Sequence, residues 1–226
     1  MPYLTTVTEH ELRHMKTHIL RKMVNHSCTI ALFTLFLVAN TAAQEIEQLP
    51  LGSSLPLGDV PMEDISGRNL TLNGVKGDKG LLVIFSCNTC PWVIKWEDRY
   101  PIVQEIAASH DIGMILVNPN EDYRDKGDGM EDMIRHAEKA GYELPYVLDK
   151  NHRVADAFGA SRTPHVYLFN AEDTLVYVGA IDDNANSAAD VEDFYIKDAI
   201  EQLSAGQTIT RASTKSIGCT IKRVAN

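Results

Sequence analysis

The sequence has no apolar run long enough to cross a membrane as a helix. Its longest apolar run, CTIALFTLFLVA at residues 28–39, has about a dozen residues, whereas a spanning helix needs roughly 20. Arg21 and Lys22 precede this run and small residues follow it, which is the pattern of a secretory signal peptide. We therefore predict that residues 1–43 are an N-terminal extension and signal peptide, cleaved after Ala43. The protein is then expected to be exported, to the periplasm or the cell exterior.

The sequence is also poor in positive charge. Its 21 Lys and Arg residues are outnumbered by 31 Asp and Glu residues, which gives a formal net charge of −10. Such a surface repels nucleic acids and anionic membranes, and no basic stripe follows any predicted helix. We expect no nucleic-acid partner, and membrane attachment only if the signal peptide is not removed. With 44% hydrophobic residues, the 226-residue chain is long enough for one globular domain.

Cysteine is scarce, with four residues in the whole chain. Cys28 is expected to leave with the signal peptide, so the mature chain keeps Cys87, Cys90 and Cys219. An odd number of cysteines leaves at least one thiol unpaired, even in an oxidising compartment. A zinc site normally takes four ligands, and the histidines are scattered with none at ligand spacing. We therefore predict no metal and no cofactor.

Strand and helix patterns alternate through the middle of the chain. The continuous apolar run GLLVIFS, residues 80–86, predicts a strand buried on both faces. Pro91 is placed to begin a helix, and Pro101 predicts a kink or break in it. The complete pattern reads β, α, β, α, β, α, β, β, α, which indicates an α/β fold with a partly parallel sheet. We assign residues 44–54 to a linker, 55–205 to the domain and 206–226 to a C-terminal tail carrying Cys219.

The stretch FSCNTCPW carries the chemistry. A buried strand delivers Cys87 to a loop, and Cys90 lies where the next helix begins. Free N–H groups and the partial positive charge at a helix N-terminus favour thiolate over thiol, so cysteines at this position are reactive. The two cysteines are close enough in sequence to close a small disulfide. The pattern favours a redox-active dithiol over half of a zinc site or a purely structural pair.

A buried strand, Cys-x-x-Cys-Pro, a helix and a distant Thr163-Pro164 together resemble the thioredoxin superfamily. More narrowly, the chain is similar to peroxiredoxin-like redoxins of the AhpC/TSA type, through segments such as FSCNTCPWVIKWEDR, VADAFGASRTPHVYLFN and SIGCTIKR. The similarity covers about residues 55–224. It implies a thioredoxin-like fold, with a central mixed β-sheet flanked by helices, and a cis peptide bond before Pro164 beside the cysteines.

The resemblance implies two different roles for the cysteines. By comparison with thioredoxins, Cys87 is the more exposed thiol and attacks a substrate disulfide, and Cys90 resolves the mixed disulfide. By comparison with peroxiredoxins, Cys90, which Pro91 follows, attacks a peroxide, and Cys87 or Cys219 resolves it. Cys87 then occupies the position of a peroxiredoxin threonine. Our main prediction is an exported thiol-disulfide oxidoreductase; a peroxidase, and a non-catalytic binding module with a structural disulfide, stay as alternatives.

The same resemblance suggests residues that support the dithiol. Pro91, Thr163 and Pro164 are expected to border it. Arg162, His165 and Glu97 are candidates for tuning the thiols or moving protons. Cys219 is a candidate resolving residue, although it could equally pack the tail onto the domain. The expected substrates are protein disulfides or peroxides, with a thioredoxin-like or membrane protein as electron donor.

Overall fold

The computed structural model describes residues 47–225, so the predicted signal peptide and its cleavage site lie outside the described residues. No helix within this range is long and apolar enough to cross a membrane. The strands are β1 Met62–Asp64, β2 Asn69–Leu70, β3 Gly80–Phe85, β4 Ile112–Asn118, β5 Tyr146–Leu148, β6 Arg162–Thr163, β7 His165–Asn170, β8 Leu175–Gly179 and β9 Cys219–Thr220. The α-helices are α1 Leu72–Val75, α2 Pro91–Trp96, α3 Tyr100–Ser109, α4 Met130–Ala140, α5 Arg153–Ala157 and α6 Tyr195–Ser204.

The strands form a mixed central sheet. One hydrogen-bonded group has the order β2-β1-β5-β4, and another has the order β3-β7-β8. The two groups meet where the backbone N–H of Ser86 donates to the oxygen of Val117 over 2.9 Å. β4 and β5 run parallel, whereas β7 is antiparallel to both β3 and β8. The sequence-based prediction of an α/β, thioredoxin-like fold is confirmed.

Strand β3 lies at the centre of two hydrophobic layers, as its continuous apolar run predicts. Leu82 and Ile84 contribute to the core layer that contains α2, α3, α4 and α6. Val83 and Phe85 contribute to the opposite layer, which contains α1 and α5. A strand covered on both faces has to be apolar at every position, because neither set of alternating side chains reaches water. This buried strand fixes the point at which the cysteine loop begins.

The helix after the cysteines is interrupted, as Pro101 predicts. α2 ends at Trp96, a single turn covers Glu97–Arg99, and α3 begins at Tyr100 with Pro101 as its second residue. Proline fits the first turn of a helix, where its missing N–H has no partner to lose, but not the middle of a longer one. The break therefore lies just before the proline.

The charged segment EDYRDKGDG, which the sequence predicts to be a loop, instead forms helical turns at Glu121–Tyr123 and Arg124–Asp128. Asp128 at its end is completely buried. Charge alone predicts a solvated segment, but buried polar groups in this part of the fold supply hydrogen bonds that offset the loss of water. This segment becomes important at the site.

Both ends of the described chain are hydrogen-bonded to the domain. In the segment assigned as a linker, the N–H of Leu49 donates to Phe158 over 3.0 Å, and that of Gly52 donates to Leu175 over 2.9 Å. In the C-terminal tail, β9 pairs antiparallel with β6. Ile221, immediately after β9, is buried in the core. The tail therefore returns to the cysteine end of the sheet.

Candidate active site

The strand-to-helix connection positions Cys87 and Cys90. Cys87 comes two residues after the end of β3, and Cys90 is the N-cap of α2, with Pro91 as the first helical residue. Both side chains are buried, with 1% of Cys87 and 3% of Cys90 exposed. The expectation that Cys87 is the more exposed thiol is therefore wrong. The helix begins only at Pro91, so Cys87 lies in the loop before it, in the core cluster that also contains Cys90.

Both thiols contact Thr163. The peptide bond between Thr163 and Pro164 is cis, as the resemblance predicts. The hydroxyl oxygen of Thr163 lies 3.2 Å from Cys87 Sγ, and Cys90 in its thiol form donates to the backbone oxygen of Thr163 over 3.1 Å. The Thr163-Pro164 segment and the cysteine loop are far apart in sequence, and the sheet brings them together.

Cys219 is the third thiol of the site. In the antiparallel pairing of β9 with β6, Cys219 is directly opposite Thr163. Its side chain packs against the cluster that contains Cys87 and Cys90. Its thiol and its backbone are both close enough to Cys90 to influence the ionisation of that thiol. Cys90 thus has a thiol neighbour on each side.

The three thiols differ in how easily they ionise. Hydrogen bonding from the Cys87 thiol, supplemented by the Cys219 thiol and the N–H of Val93, lowers the pKa of Cys90 to about 5 although burial opposes it. The bond to Cys90, burial and the charge of Asp128 raise the pKa of Cys87 well above its ordinary value. Burial raises the pKa of Cys219 to about 11. When Cys90 ionises, it loses the hydrogen bond that its thiol donates to Thr163, but the groups that donate to its sulfur remain.

A buried carboxylate anchors the loop between the cysteines. Asp128 accepts the backbone N–H of Asn88 at 2.7 Å and the hydroxyl of Thr89 at 2.8 Å, so it binds both residues of the Cys-x-x-Cys spacer. The side-chain amides of Asn118 and Asn120 donate to the same carboxylate at 3.3 and 2.9 Å. Sequence reasoning missed Asp128, because nothing in the local pattern distinguishes it from the exposed acids around it.

The three candidate tuning residues lie in different places. Arg162 is exposed on β6, and its guanidinium donates to the backbone oxygen of Gly218 over 3.2 Å. Glu97 pairs with His136, whose Nε2 lies 2.8 Å from the Glu97 carboxylate. Within residues 47–225, neither Arg162 nor Glu97 hydrogen-bonds to a cysteine. Arg162 instead holds the tail that carries Cys219.

His165 lies on the opposite face of the sheet from the thiols. It is buried, opposite Phe85 in the register of β3 and β7, and its Nδ1 lies 3.3 Å from the hydroxyl of Tyr167. Its Nε2 is buried without a hydrogen-bond partner. Burial, together with the charge of Arg162, lowers the pKa of His165 to about 4, so the ring is neutral at pH 7. The structure does not bring it to the dithiol.

The AhpC/TSA family model matches residues 52–178, more than half of the chain. The chain belongs to the AhpC/TSA family. A comparison with functionally curated proteins gave no match. Among solved structures, this AhpC/TSA protein is similar to a hypothetical protein from Sinorhizobium meliloti 1021, at 28% identity and a TM-score of 0.72, over 80% of this chain and 98% of that one. An uncharacterized conserved protein from Geobacillus kaustophilus has 29% identity and a TM-score of 0.73, over 80% and 95% of the two chains.

Structures with assigned chemistry share the fold at lower identity. Peroxidoxin BcpB from Mycobacterium tuberculosis is 15% identical, with a TM-score of 0.53 over 70% of this chain and 98% of that one. The thioredoxin domain of a thiol-disulfide oxidoreductase from Bacteroides vulgatus is 24% identical, with a TM-score of 0.50 over 59% and 90%. The AhpC/TSA protein is thus similar in fold to members of both redox classes.

Two arginines of this AhpC/TSA protein, the buried Arg99 and the half-buried Arg124, are engaged away from the thiols. Arg99 donates from Nε to Asp182 over 3.1 Å and from Nη2 to the backbone of Asn184 over 2.7 Å. Arg124 donates to the backbone oxygens of Asn118 and Asp128, at 2.9 and 2.8 Å. In the part of the chain that the structure describes, no guanidinium hydrogen-bonds to a cysteine, and no group of His, Cys, Asp and Glu is arranged to hold a metal.

Proposed function

We propose that this AhpC/TSA protein is a thiol-disulfide oxidoreductase in which Cys90 is the attacking thiolate and Cys87 the resolving thiol. The observation that carries the proposal is the position of Cys90 at the start of α2, between two other thiols and with a pKa of about 5. The thiolate is the reacting form in disulfide exchange, so a cysteine that is ionised at neutral pH is the one prepared to attack. The roles are the reverse of those that the thioredoxin comparison implies.

The reaction consists of two displacements. The Cys90 thiolate attacks one sulfur of a substrate disulfide, an S–S bond forms between Cys90 and that sulfur, and the other substrate sulfur leaves and takes up a proton. Cys87 then loses its proton and attacks the Cys90 sulfur. The substrate sulfur that was bonded to Cys90 leaves and takes up a proton, so it is released as a thiol. The substrate disulfide is reduced by two electrons, and the dithiol becomes a Cys87-Cys90 disulfide.

Turnover needs an external dithiol to reduce the Cys87-Cys90 disulfide. We propose a thioredoxin-like or membrane protein in this role, because the N-terminal pattern predicts export and the exported protein cannot draw on cytosolic thiols. Both steps of the return are again thiol-disulfide exchanges. Asp128 holds the Asn88-Thr89 spacer in the same position in each direction, because its bonds to the spacer involve neither sulfur.

Peroxide reduction is the second candidate, and the burial of Cys90 favours it, because a small peroxide needs less access than a protein disulfide. In that reaction the Cys90 thiolate attacks a peroxide oxygen, the O–O bond breaks with release of an alcohol or water, and Cys90 becomes a sulfenic acid. Cys87 or Cys219 then displaces water and forms a disulfide. Against this candidate, Cys87 replaces the threonine of the peroxiredoxin pattern.

The deciding experiment measures insulin reduction and hydrogen peroxide consumption side by side, on wild type and on the Cys87→Ser, Cys90→Ser and Cys219→Ser variants. We expect wild type to reduce insulin, Cys90→Ser to be inactive, and Cys87→Ser to accumulate a mixed disulfide on Cys90 that mass spectrometry detects. Cys219→Ser removes the thiol outside the Cys-x-x-Cys pair, and it should still reduce insulin if Cys87 is the resolving thiol.

Three results would contradict the proposal. If wild type consumes peroxide at a substantial rate and never reduces insulin, the peroxidase hypothesis is correct. If no variant does either, and the Cys87-Cys90 disulfide resists reduction below about −300 mV, the disulfide is structural and the protein is a binding module. A mixed disulfide that forms on Cys87 in Cys90→Ser, at the wild-type rate, would restore Cys87 as the attacking residue.

A further inference from the structure

His152 is a buried histidine that the proposed reaction does not use. Only 2% of it is exposed, and it immediately precedes α5. His152 and Asn151 before it have φ angles of 47° and 56°, in the left-handed region that residues other than glycine seldom adopt. Such conformations persist where surrounding contacts fix them, and they are concentrated in functional segments. The turn therefore depends on the contacts that the buried ring makes.

Both ring nitrogens of His152 face hydrogen-bond acceptors. Nδ1 lies 2.7 Å from the carboxylate of Asp156, and Nε2 lies 3.3 Å from the backbone oxygen of Val224 in the C-terminal tail. A neutral imidazole carries one N–H and donates to only one of these groups, whereas the imidazolium carries two. The arrangement therefore fits the protonated ring.

Asp156 holds the tail at a second point. Its other carboxylate oxygen accepts Nε of Arg223 over 2.8 Å, and Nη2 of Arg223 donates to the backbone oxygen of Ala160 over 2.6 Å. We call His152, Asp156, Arg223 and Val224 the tail clasp. A neutral His152 keeps the bond to Asp156 and gives up the bond to Val224, because an ionised acceptor is the stronger partner.

The clasped segment is connected to the cysteine loop. Directly before Arg223, the backbone N–H of Lys222 donates to the side-chain oxygen of Asn120 over 2.9 Å. The side-chain amide of Asn120 donates in turn to Asp128 over 2.9 Å, and Asp128 holds the Asn88-Thr89 spacer. Opening of the tail end therefore removes a donor from a residue that binds Asp128.

We propose that the tail clasp is a proton-dependent switch. Protonated His152 binds Asp156 and Val224 together, and loss of the proton frees the end of the tail and loosens its connection to the cysteine loop. A contact that requires a bound proton stabilises the closed tail at low pH and is lost as the pH rises through the titration of the histidine. The switch does not depend on which reaction the thiols perform.

Other charged groups surround the turn, and one of them titrates in the acid range. Burial raises the pKa of Asp149 to about 6, and the ionisation of this carboxyl also disfavours the closed turn as the pH rises. Its contribution is common to wild type and to His152 variants, so it cancels in their difference. The remaining charged neighbours are Asp156 on α5, Arg223 on the tail, Glu121, which accepts the Asn151 N–H, Arg124, which donates to the Asp149 backbone, and the exposed Lys150 and Arg153.

Nitrogen NMR of the imidazole ring tests the protonation state in the full-length, reduced chain. We expect imidazolium signals from His152 at about pH 5.5 and signals of the neutral Nδ1–H form at about pH 8.5, on either side of the range in which histidines commonly change charge. The spectrum of His152→Gln assigns the signals, because only those of His152 disappear.

Amide hydrogen exchange, corrected for its intrinsic pH dependence, measures the tail. In wild type, protection of the Ile221 and Lys222 amides should be about tenfold lower at the higher pH, because a hydrogen bond from a charged donor is lost. The Asn88 amide, which Asp128 binds, should lose protection in parallel. In His152→Gln we expect low protection of the tail at both pH values.

His136→Gln is the matched control. His136 also contacts a carboxylate, that of Glu97, but within residues 47–225 its ring hydrogen-bonds to no residue of the tail. Its tail should keep the pH dependence of wild type. Asp156→Asn is a second variant, which keeps the test available if His152→Gln does not fold. It removes the charge that faces His152, so the imidazolium signals should disappear at a lower pH than in wild type.

Each result supports or overturns the switch. Equal tail protection at the two pH values, an imidazolium that persists at the higher pH, or a neutral ring at the lower pH beneath a protected tail would each overturn it. The same pH dependence in wild type and in His152→Gln would assign the effect to Asp149 and also overturn it. Loss of protection that includes β3 would mean general unfolding instead of tail release. An Asn88 amide that stays protected while the tail opens would refute the connection to the cysteine loop.

Discussion

Asp128 accepts the backbone N–H of Asn88 at 2.7 Å inside the protein, across 40 residues of sequence. The carboxylate also binds Thr89, so the two spacer residues of the Cys-x-x-Cys motif are held from a different part of the chain. The negative charge raises the pKa of the adjacent Cys87. One buried acid therefore sets the shape of the loop and contributes to the difference between its two thiols.

Replacement of Asp128 by alanine is expected to destabilise the protein by about 3 kcal/mol or more, because several buried donors lose their acceptor together. The measurement is urea unfolding at pH 7. Asp125→Asn is the matched control, since Asp125 is an exposed acid of the same segment, and it should unfold as wild type does. An Asp128→Ala midpoint equal to that of the control would mean that the spacer is held by other contacts.

The rate at which Cys90 is alkylated should depend on pH with a midpoint near its pKa of about 5. With the pKa of Cys90 at about 5, the thiolate fraction rises through pH 5 and is nearly complete at pH 7. The iodoacetamide rate at Cys90 should therefore increase from pH 4 to about pH 6 and then level off, whereas an ordinary thiol increases up to about pH 9. Mass spectrometry of peptides assigns the label. A Cys90 rate that still rises tenfold per pH unit at pH 7 would refute the assignment of the thiolate.

Cys87→Ser provides a second check on the cause of that low pKa. The hydrogen bond from the Cys87 thiol is the largest contribution to the lowered pKa of Cys90. A serine hydroxyl is shorter and is a different donor, so we expect the alkylation midpoint of Cys90 to move to higher pH in this variant. No change in midpoint would show that the other donors, the Cys219 thiol and the Val93 N–H, determine the ionisation without Cys87.

Acid should destabilise the protein partly through His165. Burial lowers the pKa of His165 to about 4, while the unfolded chain binds the proton below about pH 6.5. The unfolded state therefore gains protons first, and stability falls as the pH decreases from about 6.5 to 4, by about 3 kcal/mol in total. In His165→Leu this contribution disappears. The unfolding free energy, measured from pH 6.5 to pH 4, should then change less steeply with pH than it does in wild type.

The comparison with wild type is needed because Asp149 acts in the opposite direction. Burial raises the pKa of Asp149 to about 6, so its protonation favours the folded state as the pH falls. That contribution is the same in wild type and in His165→Leu and cancels in the difference. His110→Gln, at the end of α3, is the control for a histidine that is not buried. Equal slopes for wild type and His165→Leu would exclude His165 as the acid-sensitive group.

The buried pair between Arg99 and Asp182 supplies a stability test away from the thiols. The Asp182 carboxylate also accepts the indole N–H of Trp96 at 2.6 Å. Asp182→Ala leaves the buried guanidinium without its buried carboxylate and should cost about 3–5 kcal/mol of unfolding free energy. Asp98→Ala removes the exposed carboxylate from the same arginine and should cost less than about 1 kcal/mol. Similar losses in the two variants would show that burial does not determine the contribution of this ion pair.

Local patterns in the sequence were sufficient for the elements around the motif. The apolar run at 80–86 predicted β3, and Pro91 predicted the start of α2. These features depend on residues close together in the chain, so the sequence contains their cause. The resemblance through Thr163-Pro164 added the fold and the contact of that segment with both thiols.

Contacts between distant segments were decided only by the tertiary structure. Charge predicted that Asp128 is solvated, because the amides that bind it come from other elements. The strand-to-helix position predicted a reactive dithiol, but the order of ionisation depends on which donors surround each sulfur. The position of Cys219 depended on where the tail pairs with β6. By itself, the sequence determined the two cysteines and the strand and helix that hold them. The folded chain decided which of the two ionises more easily and where the tail with Cys219 lies, because both depend on neighbours far away in sequence.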